Sequence, residues 1–172
     1  MLIEIRSDTF ISYGEQRPPI VFRQGLNTVL GDEAGSNSIG KSSFLMIVDF
    51  AFGGNDYVTR SLDIQKQVGP HNIQFAFEFN DGIHRFSRET TDHTYVSRCN
   101  DNYEPLSYMS IAEYRKFLFD HYKVDLPLIS FRDIIGRYFR IYGRENLDEK
   151  KPLHSVKQET DRDAITALLK LF

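Results

Sequence analysis

The chain has 172 residues, 41% hydrophobic and 26% charged, with a mean hydropathy of −0.39. That size and balance predict one domain able to bury a core of its own and speak against large-scale disorder. A net charge of −3 and a pI near 5.9 exclude a strongly basic footprint for nucleic acid, leaving only a local patch open. The single cysteine, Cys99, allows no intramolecular disulfide and no thiolate metal cluster; a small residue in a strand is its plain reading. One cysteine and no signal peptide predict a cytoplasmic protein, and no apolar run approaches the ~20 residues that cross a bilayer.

Leu2–Arg6 alternates apolar and polar residues and reads as a first strand. Gly14, Pro18 and Pro19 break the chain into a turn around Tyr13–Pro19. Ile20–Phe22 and Leu26–Leu30 read as the next two strands, the latter ending at Gly31. A polar Gly/Ser-rich loop, Asp32–Gly40, leads into a helix from Lys41 to about Phe52. Phe44, Leu45, Ile47, Val48, Ala51 and Phe52 form its apolar face, and Gly53–Gly54 stop it. Gly54–Pro70 reads as irregular. Ile73, Phe75, Phe77 and Phe79 then alternate with Gln74, Ala76 and Glu78 as a half-buried strand. Asn80-Asp81-Gly82 is a hairpin turn, Ile83–Glu89 the returning strand and Tyr95–Cys99 a third member. Ser110 and Glu113 form a capping box before a helix with Ile111, Tyr114, Phe117 and Leu118 on one face. Ser130 begins another, with Phe131, Ile134, Ile135 and Tyr138 expected inward. Leu147–Lys157 reads as a loop. Asp161–Phe172 reads as a last helix with Ile165, Leu168, Leu169 and Phe172 on one side. Its stripe is uncapped, which predicts that the natural chain runs on.

Gly35-Ser36-Asn37-Ser38-Ile39-Gly40-Lys41-Ser42 matches G-x-x-x-x-G-K-[ST], the phosphate-binding loop. Between a strand and a helix its N–H groups converge on an anion, and the helix start adds roughly half a positive charge. Gly40 admits phosphate close to the backbone, Lys41 reaches the β- and γ-phosphates, and the Ser42 hydroxyl ligates Mg²⁺. A plain Gly/Ser-rich connection with an exposed lysine is the rival reading. Ser43 reads equally as an α-phosphate donor or a first-turn serine, and Asn27 as a nucleotide contact or a turn residue. Asp32 and Glu33 read best as solvent-facing acids. The five histidines are scattered with no metal spacing. Arg132, Arg137, Arg140 and Arg144 read as a solvated basic face rather than a phosphate or DNA contact.

With these residues in view, the chain resembles the N-terminal lobe of the SMC-type ATPases, ABC-like heads that carry long coiled coils. The resemblance lies in Thr9-Phe10-Ile11-Ser12, Phe22, Gly25–Gly31, Gly40-Lys41-Ser42-Ser43 and Phe52-Gly53-Gly54, followed by a β-hairpin region and two helices. It is closer still to uncharacterised bacterial SMC-like proteins associated with anti-phage defence, whose N-termini carry GSNSIGKS followed by FLMI-D-FGG-DYV. Three features depart from the usual pattern: Ser38 and Ile39 in place of a more open loop, extra residues between Gly31 and Gly35, and Ile11 where a basic residue is usual.

The resemblance implies an α/β P-loop NTPase fold: an ABC/SMC-head-like lobe with a mixed sheet, an antiparallel β-region and flanking helices. It also implies Mg-ATP as the ligand, the preference for ATP over GTP resting on it alone. A C-terminal lobe of the same protein would complete the head, and ATP-bound heads would pair as a homodimer in DNA repair, chromosome maintenance or defence. The chain has no Walker B run, no L-S-G-G signature and no evident Q-loop glutamine. Asp133, near the expected Q-loop, reads equally as a helper of metal or water and as a helix cap. The implied behaviour is ATP binding with little hydrolysis by this chain alone. A non-catalytic nucleotide sensor and a small stand-alone P-loop kinase or GTPase are the alternatives.

Overall fold

A computed structural model describes residues 1–12, 14–29, 38–123, 130–139, 148, 150–151 and 154–170. Its centre is a six-stranded sheet in the order β4-β1-β5-β6-β7-β8. The strands are β1 (Leu2–Arg6), β4 (Ile20–Val21), β5 (Asn72–Phe79), β6 (Gly82–Glu89), β7 (Tyr95–Cys99) and β8 (Pro105–Ser110). Two further strands, β2 (Ile11–Ser12) and β3 (Glu15–Gln16), form a separate small hairpin. Every pairing among the described strands is antiparallel, which corrects the expected mixed sheet.

The alternation read in β5 explains why the sheet has a core side. Ile73, Phe75 and Phe77 are completely buried, and Phe86 sits opposite Phe75 in β6. Onto them pack α1 (Ser38–Ala51) and α4 (Ile111–His121). Tyr114 lies 6.1 Å from Phe75 and 5.1 Å from Phe86, and Phe52 meets Phe77 edge-on at 5.2 Å. Each such fully buried aromatic contributes about 2 kcal/mol over exposure. Helix α5 (Phe131–Tyr138) adds Phe131, stacked 6.3 Å from Phe52. The Asn80–Asp81 turn joins β5 to β6 with Gly82 at φ +120°, a conformation glycine adopts without strain. The capping box forms: the Ser110 hydroxyl accepts from the Glu113 N–H, and the Glu113 carboxylate accepts from the Ser110 N–H.

Several expectations need correction. Residues 26–29 of the expected Leu26–Leu30 strand form no strand; Leu26 is 93% exposed and pairs with no strand among the described residues, and residues 30–31 lie outside them. Residues 54–70 hold two short helices, α2 (Asp56–Arg60) and α3 (Leu62–Val68). Buried Tyr57 anchors α2, and Gly69 at φ +76° ends α3. The edge strand β8 escaped the sequence reading because Leu106 and Tyr108 both face solvent, leaving no amphipathic signature. In α5 Tyr138 is exposed and Gly136 buried. In α6 (Asp161–Leu169) Ala164 is the buried residue while Ile165 and Leu169 face outward. Residues 171 and 172 lie outside the described residues. No helix among the described residues is long and apolar enough to cross a membrane.

Candidate functional site at the start of helix α1

Helix α1 begins at Ser38, three residues before the expected start, so the second half of the phosphate-loop motif is its first turn. That turn carries no acid, and its positive end meets no countercharge from within the helix. Gly40 and Lys41 are exposed, and a Cβ on Gly40 would meet nothing within 4 Å. Ser42 and Ser43 are half-buried. Beside them opens a cleft of about 270 Å³, mostly apolar, bordered by Thr9, Phe10, Arg17, Gly40, Ser43 and Phe44.

The opposite end of α1 is held tightly. Gly53, at φ +79°, donates to the Phe50 carbonyl at 3.0 Å, and Gly54 to the Asp49 carbonyl at 2.8 Å. This is the Schellman closure, which satisfies carbonyls the helix cannot reach itself. The last turn contains no basic residue. Three arginines from other elements supply the positive charge that the negative end of the helix favours. Arg88 of β6 donates through Nη1 to the Phe50 and Gly54 carbonyls at 3.0 and 2.7 Å. Its Nη2 donates to Asn55 Oδ1, and both Nη2 and Nε donate to the His93 carbonyl. Its guanidinium carbon also lies 4.0 Å from the Phe50 ring centre. Arg115 of α4 donates twice to the Gly53 carbonyl, at 3.0 and 2.7 Å. Arg132 of α5 donates to the Phe52 carbonyl and, at 2.7 Å, to the fully buried Asp49 carboxylate.

Burial pushes the Arg88 guanidinium down to about 9, and burial followed by the charge of Arg132 lowers Arg115. Both guanidinium groups stay charged at neutral pH. Tyr114 completes the clamp, its hydroxyl donating to the Ala51 carbonyl at 2.6 Å. The clamp fixes the C-terminal end of α1 in the core and leaves its first turn at the surface.

Of the residues read as a nucleotide site, Ser42 and Ser43 begin the second turn of α1, and Gly40 and Lys41 lie in this first turn. Ser38 and Ile39 belong to the same turn by their backbone. Gly35, Ser36 and Asn37 lie outside the described residues, as do Asp32 and Glu33. With residues 26–29 unpaired, only the helix half of the strand–loop–helix context is present among the described residues. The Asn27 side chain closes a turn: Oδ1 accepts from the Arg23 N–H at 2.9 Å, and Nδ2 donates to the Arg23 and Gly25 carbonyls. Asp133 caps α5, accepting from the Ser130 N–H at 3.0 Å and hydroxyl at 2.6 Å.

Arg132 and Arg137 do not form a solvated face. Arg132 pairs with Asp49 and Arg137 with Glu159, both largely buried. Arg140 and Arg144 lie outside the described residues. Cys99 is buried at the end of β7, as its residue type suggested, and burial raises its thiol. The histidines are less scattered than their spacing implied: His84 and His121 meet beside Asp81. The arginine clamp was invisible in the sequence, because its members lie 27 and 17 positions apart on three elements.

No protein-family model matches the chain, and no curated protein or solved structure proved similar to it.

Proposed function

We propose that the chain binds the phosphates of Mg-ATP at the start of α1 and is the ATP-binding N-terminal half of an SMC-like ATPase head. The observation that carries the reading is the meeting of the Gly35–Ser42 motif with an exposed helix start, free of acid, that presents Gly40 and Lys41 to solvent. Phosphates there gain both the backbone N–H groups of the first turn and the helix charge. The clamp at the other end supports the reading: a helix held in the core at one end offers a rigid cradle at the other. The adjoining apolar cleft suits a flat base, with Phe10 and Phe44 along its wall.

Lys41 reaches the terminal phosphates and Ser42 ligates the metal. Exposed Leu26, Val29 and Val21 offer uncovered apolar surface for a second lobe, which would bring the acidic metal site and signature loop. ATP-bound heads would then pair, in a DNA-related or defence process. Titration calorimetry with Mg-ATP tests the site. Lys41→Ala should weaken binding at least about tenfold, the scale of losing one charge-assisted phosphate contact. Ser42→Ala should blunt the dependence on Mg²⁺ more than binding itself. Equal affinity for parent and Lys41→Ala, with both folded, refutes the assignment.

A further inference from the structure

A second cluster lies away from α1, where the β5–β6 hairpin meets the end of α4. Asp81 occupies the hairpin turn, His84 the start of β6, and His121 the last residue of α4. One ligand atom from each lies within 4.8 Å of the others. His84 Nε2 is 3.1 Å from Asp81 Oδ1, and His121 Nε2 is 3.3 Å from Asp81 Oδ2. Two ligands about 2.0–2.1 Å from a tetrahedral ion stand roughly 3.3 Å apart, so these separations are those of a shared coordination shell.

Proton accounting makes the same point. His121 Nδ1 lies 2.8 Å from the Phe117 carbonyl, which can only accept, so Nδ1 carries a proton. His121 Nε2 then faces a carboxylate oxygen. Either the ring carries a second proton, or its lone pair is given to a cation. His84 is the independent sign. It is 9% exposed, and its Nε2 lies 3.1 Å from Asp81 Oδ1 without a well-aligned hydrogen bond among the described residues. A buried ring nitrogen this close to a carboxylate oxygen gains from a cation held between them.

We propose that Asp81, His84 and His121 form a binding site for a zinc-class divalent cation. Two imidazoles and one carboxylate favour Zn²⁺, Co²⁺ or Ni²⁺ over the hard cations Mg²⁺ and Ca²⁺. The Phe117 carbonyl orients His121 from behind, the outer-shell partner that metal-bound histidines usually have. Phe79 and Phe117 flank both rings, with centroids 3.8 to 5.8 Å away, and keep water from the buried side. The other side opens to a surface hollow rimmed by Asp120 and Lys123, which leaves a fourth position for water. Arg98 Nη2 lies 3.3 Å from His84 Nδ1 and must swing away when metal binding places a proton there; its exposed position on β7 permits that. The ion would clip the hairpin to α4 across 40 residues of chain.

The test uses the full 172-residue chain stripped with chelator, with zinc chloride alone as the titrant and cobalt(II) as a spectroscopic stand-in. The expected result is one equivalent bound per chain, a rise in Tm on zinc addition, and the visible bands of low-coordinate cobalt. Asp81→Asn, His84→Gln and His121→Gln should each weaken zinc binding by on the order of tenfold or more, while His93→Gln leaves it unchanged. Asp81 and His121 are partly exposed, so those two variants keep the test decisive if His84→Gln fails to fold. Excess Mg²⁺ should not displace the zinc. Failure to bind zinc below about 100 µM overturns the site. Binding that survives both Asp81→Asn and His121→Gln overturns it equally.

Discussion

Gly54→Ala should be among the most damaging small substitutions in this chain. A Cβ on Gly54 would stand 1.7 Å from Asp49 Oδ2 and 2.4 Å from Asp49 Cγ, distances no packing tolerates. The carboxylate must move, and it is fully buried and bonded to Arg132 at 2.7 Å. Breaking a buried ion pair costs about 3–5 kcal/mol, whereas the entropic gain of replacing glycine is about 0.4–1 kcal/mol. Clash therefore wins by several-fold. For a chain of this size a loss of that order lowers Tm by on the order of 10 °C, and it removes a large share of a typical 5–15 kcal/mol stability, in rough terms. Urea unfolding followed by circular dichroism gives the number. The deciding comparison is a double-mutant cycle. Asp49→Ala alone is also costly, but it removes both clashing atoms. The remaining neighbour, Arg132 Nη2 at 2.8 Å, ends a flexible side chain. In the Asp49→Ala background Gly54→Ala should therefore cost less than about 1 kcal/mol. Additive costs in the double variant would refute the steric argument.

Arg88→Met should destabilise the fold by about 3–5 kcal/mol, because it strips donors from the buried Phe50 and Gly54 carbonyls at the end of α1 and from half-buried Asn55 and His93. A change below 1 kcal/mol in chemical denaturation would mean that water replaces the guanidinium freely. The isolated chain should bind ATP yet release phosphate far more slowly than the typical enzyme scale of about 1–10³ per second, since no group that orients water is identified. Brisk phosphate release that disappears in Lys41→Ala would show a complete enzyme and end the half-head reading.

The sheet was legible where one face is buried. Ile73, Phe75 and Phe77 alternate because β5 has a core side, and the two-residue turn at Asn80–Asp81 follows from the Gly82 that permits it. The capping box of α4 was readable because its signal is four residues long. What could not be read depends on distant contacts. Tyr57 makes α2 a helix by burying itself against Phe50, and nothing within 54–70 announces that. Leu26 and Val29 have strand-like residue types, but a strand needs a neighbour to pair with. At the candidate site the sequence supplied the chemistry of Gly40, Lys41 and Ser42. The clamp behind it could not be foreseen, since charged residues on three separate elements carry no shared pattern. The Asp81–His84–His121 cluster was missed for the same reason: two members share a hairpin, and the third arrives on a helix 37 residues beyond His84.

The position of β1 shapes how the chain is made. Ile5 pairs with Phe75, 70 residues downstream, whereas each partner of β7 and β8 lies close by in sequence. At synthesis rates of roughly 5–20 residues per second, β1 and the whole of α1 emerge and wait several seconds for the strand that will cover them. During that interval Phe50, Met46 and Ile47 have no sheet to rest on. Ribosome-bound chains halted before β5 should be open to protease along α1, and chains halted after β8 has emerged should be closed. The helix whose start we propose meets phosphate is thus synthesised early and sheltered late.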